Sequence, residues 1–170
     1  MWDKFGEFDS AEEINRAAAA QFAEGDVESL KLLACENGID EADVEDYVEG
    51  LVDELTTPVL AAIGKLDMEI VELHITGVLL DWTEELKALC TREEAIARAV
   101  RKKGKDLAGY IALIAETGYK NRAVVDRKIV EKTTEVKKIV GNHEFSIGIP
   151  TRAERKEIIK SYYMGEGDKT

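Results

Sequence analysis

The chain has 170 residues, 45% of them apolar and 34% charged, with a formal net charge of −12. That length buries a core without help from disulfides or metals, and apolar residues recur at helical spacing almost throughout, which excludes a disordered polymer. The charge is uneven: residues 1–64 hold 17 Asp and Glu against Lys4, Arg16 and Lys31, whereas the remaining residues hold 18 acidic and 20 basic side chains.

Helix signals follow one another quickly. Ser10 and Glu13 form a capping box for a helix that Gly25 ends. Asp26 caps a second helix, stopped by Gly38, and Asp40 caps a third running to residue 55, with Val44, Val48, Leu51 and Leu55 stepping inward by 4, 3 and 4. Thr57-Pro58 opens a fourth helix with Val59, Ile63, Leu66, Ile70 and Leu73 inward, weakened locally by Gly64. After a break at residues 74–77, Leu79, Trp82, Leu86 and Leu89 mark a fifth helix. Thr91 and Glu94 read as a second capping box for a helix ending in the basic run 101–105. Leu107, Ile111 and Ile114 predict a helix to about residue 118, and Asp126 caps a short one. Residues 136–149, with β-branched residues either side of Gly141-Asn142, predict a β-hairpin. Thr151 and Glu154 then cap the last helix, and the tail 165–170 is expected to fray.

The expected fold is mainly α: a compact multi-helix single domain with a small β-hairpin before the C-terminal helix. The only candidate boundary is the change of charge near residue 57. It separates an acidic, helix-turn-helix-like subdomain (1–56) from a main helical body (57–164).

Within the acidic segment, Ala34, Gly38, Ile39 and Val44 sit at helix-turn-helix spacing. A DNA-reading second helix needs Lys and Arg to neutralise phosphates. This one offers carboxylates instead, so nucleic-acid binding is not expected of the N-terminal half. Residues 32–64 carry nine carboxylates and no Lys or Arg. Asp40, Asp43, Glu45, Asp46, Glu49, Asp53 and Glu54 are therefore the candidate partner-binding residues. On one continuous helix Asp46, Glu49 and Asp53 would form an outward line with rises of about 4.5 and 6 Å, suited to a groove lined by Arg and Lys. The alternative is a solvated face that maintains solubility. Arg101, Lys102, Lys103 and Lys105 form a candidate secondary basic contact, although the helix dipole alone explains cations there.

Other features point away from chemistry. Cys35 and Cys90 read as buried thiols on apolar helix faces. His74 and His143 have no neighbours at metal-ligand spacing. GKDLAG (104–109) lacks the upstream glycine and the Ser/Thr of a phosphate loop. No catalytic triad or nucleophile motif is readable, so the expectation is a non-enzyme needing no metal or cofactor. Without a signal sequence or a spanning segment, a cytoplasmic protein is expected. The aromatic string Trp2, Phe5 and Phe8 is expected to tuck over the core, the alternative being an exposed anchoring arm.

Four segments, FDSAEEIN (8–15), ENGIDEADVEDYVEG (36–50), KKGKDLAGYI (102–111) and GIPTRAERKEIIKSYYM (148–164), together resemble small acidic proteins of phages and mobile elements from gut Firmicutes. That group includes anti-CRISPR proteins that inhibit type II CRISPR nucleases. The resemblance implies a non-enzymatic inhibitor acting in the host bacterial cell on a nuclease with a basic nucleic-acid channel, and it assigns no site residues. Two other readings stand beside it: a helix-turn-helix-like regulator binding DNA through its basic C-terminal half, or a phage structural or assembly protein. A homodimer is compatible with each.

Overall fold

A computed structural model describes residues 4–165; the expectations for Trp2 and for residues 166–170 lie outside the described residues. Ten α-helices and a two-stranded antiparallel sheet make up the described chain, so the fold is mainly α, as expected. The chain divides into two compact units, Met1–Ala108 with Lys160–Thr170, and Gly109–Ile159. No division falls at residue 57. The acidic segment packs on the helix that follows it, within the first unit.

In the first unit, α1 (Ala11–Ala23) begins because Ser10 is extended and its hydroxyl accepts the Glu13 N–H at 3.2 Å. The Glu13 carboxylate reaches back one residue beyond the expected cap, to the Asp9 N–H at 2.8 Å. α2 (Val27–Glu36) starts at Asp26, which accepts the N–H of Ser29 at 2.9 Å and its hydroxyl at 2.6 Å. Gly38, at φ +68°, ends it, with the Ile39 N–H donating to the Ala34 carbonyl at 2.9 Å.

The third helix is shorter than its apolar spacing predicts. α3 (Glu41–Val48) stops where Gly50 adopts φ +73° and the Leu51 N–H turns back to the Asp46 carbonyl at 2.9 Å. Leu51 is 68% exposed, and only Leu55, beyond the turn, returns to the core. Asp40 precedes α3 in an extended conformation without a side-chain capping bond.

α4 (Pro58–Glu72) is capped by Thr57, whose hydroxyl accepts the Leu60 N–H at 3.2 Å. Its buried face is not the expected Leu/Ile stripe. Ala61, Ala62, Gly64, Lys65, Leu66 and Glu69 are buried, while Val59, Ile63 and Ile70 are only half-buried and Leu73 is exposed. Small residues let neighbouring helices approach this face closely, and α4 packs against α1, α5 (Val78–Cys90) and α6 (Glu94–Arg101). The second capping box does not form. The Thr91 hydroxyl donates to the Ala88 carbonyl at 2.9 Å, Glu93 takes the cap position, and Glu94 accepts from Arg98 at 2.8 Å. The chain leaves this unit at the start of α7 (Leu107–Lys120) and returns as a π-helical turn, Lys160–Met164, that buries Tyr163. Phe5 and Phe8 pack on the core of Ile14, Leu30, Leu33 and Val44, so this part of the aromatic string tucks in.

In the second unit, α7 continues to β1 (Ala123–Val124), followed by α8 (Arg127–Val130), α9 (Glu135–Val140), β2 (Ser146–Ile147) and α10 (Arg152–Ile159). The antiparallel pair precedes the last helix, as expected, but its strands are not both within 136–149. Ala123 pairs with Ile147 and Val124 with Ser146. Residues 135–140 are helical, and Gly141, at φ +57°, caps that helix instead of turning a hairpin. Thr151 and Glu154 form the complete capping box: the Thr151 hydroxyl accepts the Glu154 N–H at 3.3 Å and the Glu154 carboxylate accepts the Thr151 N–H at 2.8 Å.

Candidate protein-binding surface

The helix-turn-helix-like spacing builds the packing it implies: Ala34, Ile39 and Val44 are all buried. Its turn rests directly on α4. A Cβ added to Gly64 would lie 2.5 Å from the Gly38 carbonyl oxygen and 2.7 Å from that of Asn37. Gly64, a helix weakness when read locally, lets the α2–α3 turn seat on the α4 backbone.

Around this scaffold the seven candidate carboxylates face outward. Asp40, Glu45, Asp46, Glu49, Asp53 and Glu54 are exposed and Asp43 is half-buried. Among the described residues none of the seven forms an ion pair or a side-chain hydrogen bond. Asp40 and Asp43 lie at the N-terminus of α3, where the helix dipole favours them, but Glu45, Asp46 and Glu49 lie toward its C-terminus. Carboxylates near a helix C-terminus oppose its dipole, and α3 has no basic residue in its last turn to offset them.

The structure does not bring all seven together. Because α3 ends at Val48, Asp46, Glu49 and Asp53 do not share one helical line. Asp43, Asp46, Asp53 and Glu54 instead surround a depression of about 500 Å³ with Val52, Leu55 and Leu60 in its lining. Asp40 joins Glu41, Asp67 and Glu72 around a larger groove of about 850 Å³ between α2, α3 and α4. Glu45 and Glu49 line neither. Asp67 and Glu72 lie outside the segment that the charge count singled out; only the seating of the α2–α3 turn on α4 reveals them.

Several expectations are corrected here. Cys35 is exposed and lines the larger groove, whereas Cys90 is buried and burial pushes its thiol up to about 12. Glu36, counted within the acidic block, is buried. Its two carboxylate oxygens accept the backbone N–H groups of Lys4 at 2.8 Å and Phe5 at 3.1 Å. The basic set does not form one surface patch. Arg101 is 1% exposed and donates to the Asn37 side-chain oxygen. Lys105 Nζ donates to the Tyr162 carbonyl at 2.6 Å and lies 5.0 Å above its ring, closing the π-helical turn onto the start of α7. Lys102 and Lys103 are exposed.

A buried polar network that sequence reasoning missed lies beneath. Lys65, 1% exposed, donates to Glu7 at 3.0 Å and to the carbonyls of Lys102 at 3.3 Å and Lys105 at 2.7 Å. Glu69 accepts the Leu107 N–H at 3.0 Å and lies 4.0 Å from Lys65. Burial raises the Glu69 carboxyl to about 7, against the pull of Lys65 and of that N–H. Burial lowers Arg101 to about 10, although Glu7, Glu69 and Glu13 favour its charge. In sequence, Lys65 and Glu69 look like an ordinary exposed i, i+4 pair. Only the small residues around them, Ala61, Ala62 and Gly64, hint that this face packs tightly.

Among the described residues no cluster of His, Cys, Asp and Glu could hold a metal ion, and no helix is long and apolar enough to cross a membrane. The arrangement defines a helical protein with an acidic surface around two depressions, in which the seven candidate carboxylates form no ion pair among the described residues. No protein-family model, curated protein or solved structure matches the chain.

Proposed function

We propose that this protein is a non-enzymatic inhibitor that binds a basic surface on a nucleic-acid-handling protein, and that a type II RNA-guided nuclease is its target. The observation that carries the reading is the set of seven carboxylates presented without ion pairs on and around α3. Like charges so placed destabilise the free protein slightly and gain when a cationic partner arrives. Such nucleases hold duplexes in positively charged channels and read their adjacent motif with Arg. The sequence resemblance supports this choice of target.

The test is DNA cleavage by a purified guide-loaded type II nuclease, with and without the protein, across a salt series. Inhibition should weaken as salt rises, because an exposed charged interface is screened over about 10 Å at 0.1 M salt. Reversing Asp43, Asp46 and Asp53 to Lys should reduce inhibition at least tenfold. Full inhibition by that variant, or none by the wild type with several orthologous nucleases, contradicts the proposal.

A second reading has its own observation. Gly109–Ile159 holds ten basic and seven acidic residues, the reverse of the balance in the rest of the chain. A DNA-binding regulator using that unit would shift a DNA probe at low salt with a steep salt dependence, which the inhibitor reading does not expect.

A further inference from the structure

The larger groove differs from a purely electrostatic surface. Its floor is apolar: Ala34, Ile39 and Val44 from the α2–α3 unit face Met68 and Val71 of α4. Val71 is 73% exposed, an apolar side chain left open to solvent by the described residues. Carboxylates stand at the rim. Glu41 is paired with Lys31 at 3.1 Å and Asp67 with Lys87 at 2.7 Å, while Asp40 and Glu72 form no ion pair among the described residues. Met68 and Val71 line one side three residues apart, roughly 4.5 Å of rise, which matches one i, i+3 step of a docked helix, with Glu72 beside them.

We propose that this groove is the docking site for a basic amphipathic helix of the partner, which inserts two apolar side chains one turn apart and places Lys or Arg over Asp40 and Glu72. This rests on the reading above that the partner is basic, and it adds that contact is anchored by apolar burial. A DNA-like polyanion surface would need no apolar floor. An apolar floor framed by carboxylates selects a segment that is apolar on one side and cationic on the other. Met68 suits such a site because its flexible thioether adapts to the inserted side chain.

Cys35 supplies the readout, since it lines the groove and is exposed while Cys90 is buried. The probes are two synthetic 14-residue peptides of equal positive charge. One is a Leu/Lys amphipathic helix; in the other every Leu is replaced by Ser. Maleimide alkylation of Cys35 and fluorescence anisotropy are followed on the full chain. The Leu peptide should slow alkylation at least tenfold and the Ser peptide less than twofold. Val71→Asp is the deciding variant, because it adds a negative charge to an already exposed position. It should weaken the Leu peptide at least fivefold, although simple charge attraction would strengthen binding.

Equal protection by both peptides, no protection by either, or tighter binding to Val71→Asp would overturn the groove proposal. The nuclease result stands apart from these. Peptide binding without inhibition keeps the groove and removes the nuclease. Inhibition by a wild-type protein whose Cys35 stays equally reactive in the complex keeps the inhibitor reading and removes the groove.

Discussion

Gly64 shows two opposing effects meeting at one residue. In an exposed helix, Gly to Ala gains roughly 1 kcal/mol of helix propensity. Here the added methyl would press on the Gly38 and Asn37 carbonyl oxygens at 2.5 and 2.7 Å, which are backbone atoms that cannot rotate away. Overpacking of this kind costs about 1–3 kcal/mol, so Gly64→Ala is expected to lower the urea midpoint, with little effect on the second unit. Glu69 is the second telling residue. Its carboxyl is raised in the folded state to about 7 from an ordinary 4.5, so the folded protein holds a proton that the unfolded chain has released. The stability gained from that proton is fully present below about pH 4.5 and is lost as pH rises through 7. The slope contributed by this single group reaches at most ~1.4 kcal/mol per pH unit. Burial is the main cause of the raised value; Lys65 and the Leu107 N–H act against it, and Asp106 and Glu7 add to it. Urea melts at pH 5, 6.5 and 8 should show the wild type losing stability with pH more steeply than Glu69→Gln. Parallel curves for the two proteins would assign the pH dependence elsewhere.

At the scale of elements, two identical local patterns have different fates. Thr151 and Glu154 complete their reciprocal bonds, while Thr91 and Glu94 do not. Thr151→Ala should therefore cost about 1 kcal/mol in a denaturant melt, and Thr91→Ala less than about 0.5 kcal/mol. The comparison also explains what the sequence could reveal. Caps at Ser10, Asp26, Thr57, Asp126 and Thr151 depend on neighbours two or three residues away, so they were legible. The end of α3 is not legible in the apolar spacing, because Leu51 and Leu55 continue that rhythm past Gly50, whereas the glycine's left-handed turn ends the helix. The strand partner of Ser146–Ile147 was hidden for another reason. Ala123–Val124 is too short to show alternation, and pairing across more than twenty residues leaves no local trace.

For the whole molecule, the uneven charge proved to follow the architecture, though not at the boundary first expected. Met1–Ala108 with Lys160–Thr170 carries 28 acidic and 13 basic residues, and Gly109–Ile159 carries seven and ten. The candidate surface was legible as a composition and illegible as a place. Residues 40 to 54 announce their charge, but the groove exists only because the α2–α3 turn rests on α4, which contributes Asp67, Met68, Val71 and Glu72. Charges at Lys65, Glu69 and Arg101 were likewise visible as residue types, and their burial depends on helices distant in sequence.

The π-helical turn that returns Tyr163 to the first unit has a consequence for the order of events during synthesis. Gly109–Ile159 is one unbroken stretch, so every contact within it becomes available once residue 159 has been made. The acidic unit stays incomplete until residues 160 to 164 follow, when Lys105 can meet the Tyr162 carbonyl and Tyr163 can leave water. Contacts that span more than fifty residues close late. The N-terminal part, though translated first, is therefore the part that finishes last, and until then part of its apolar surface is open to chaperones and proteases.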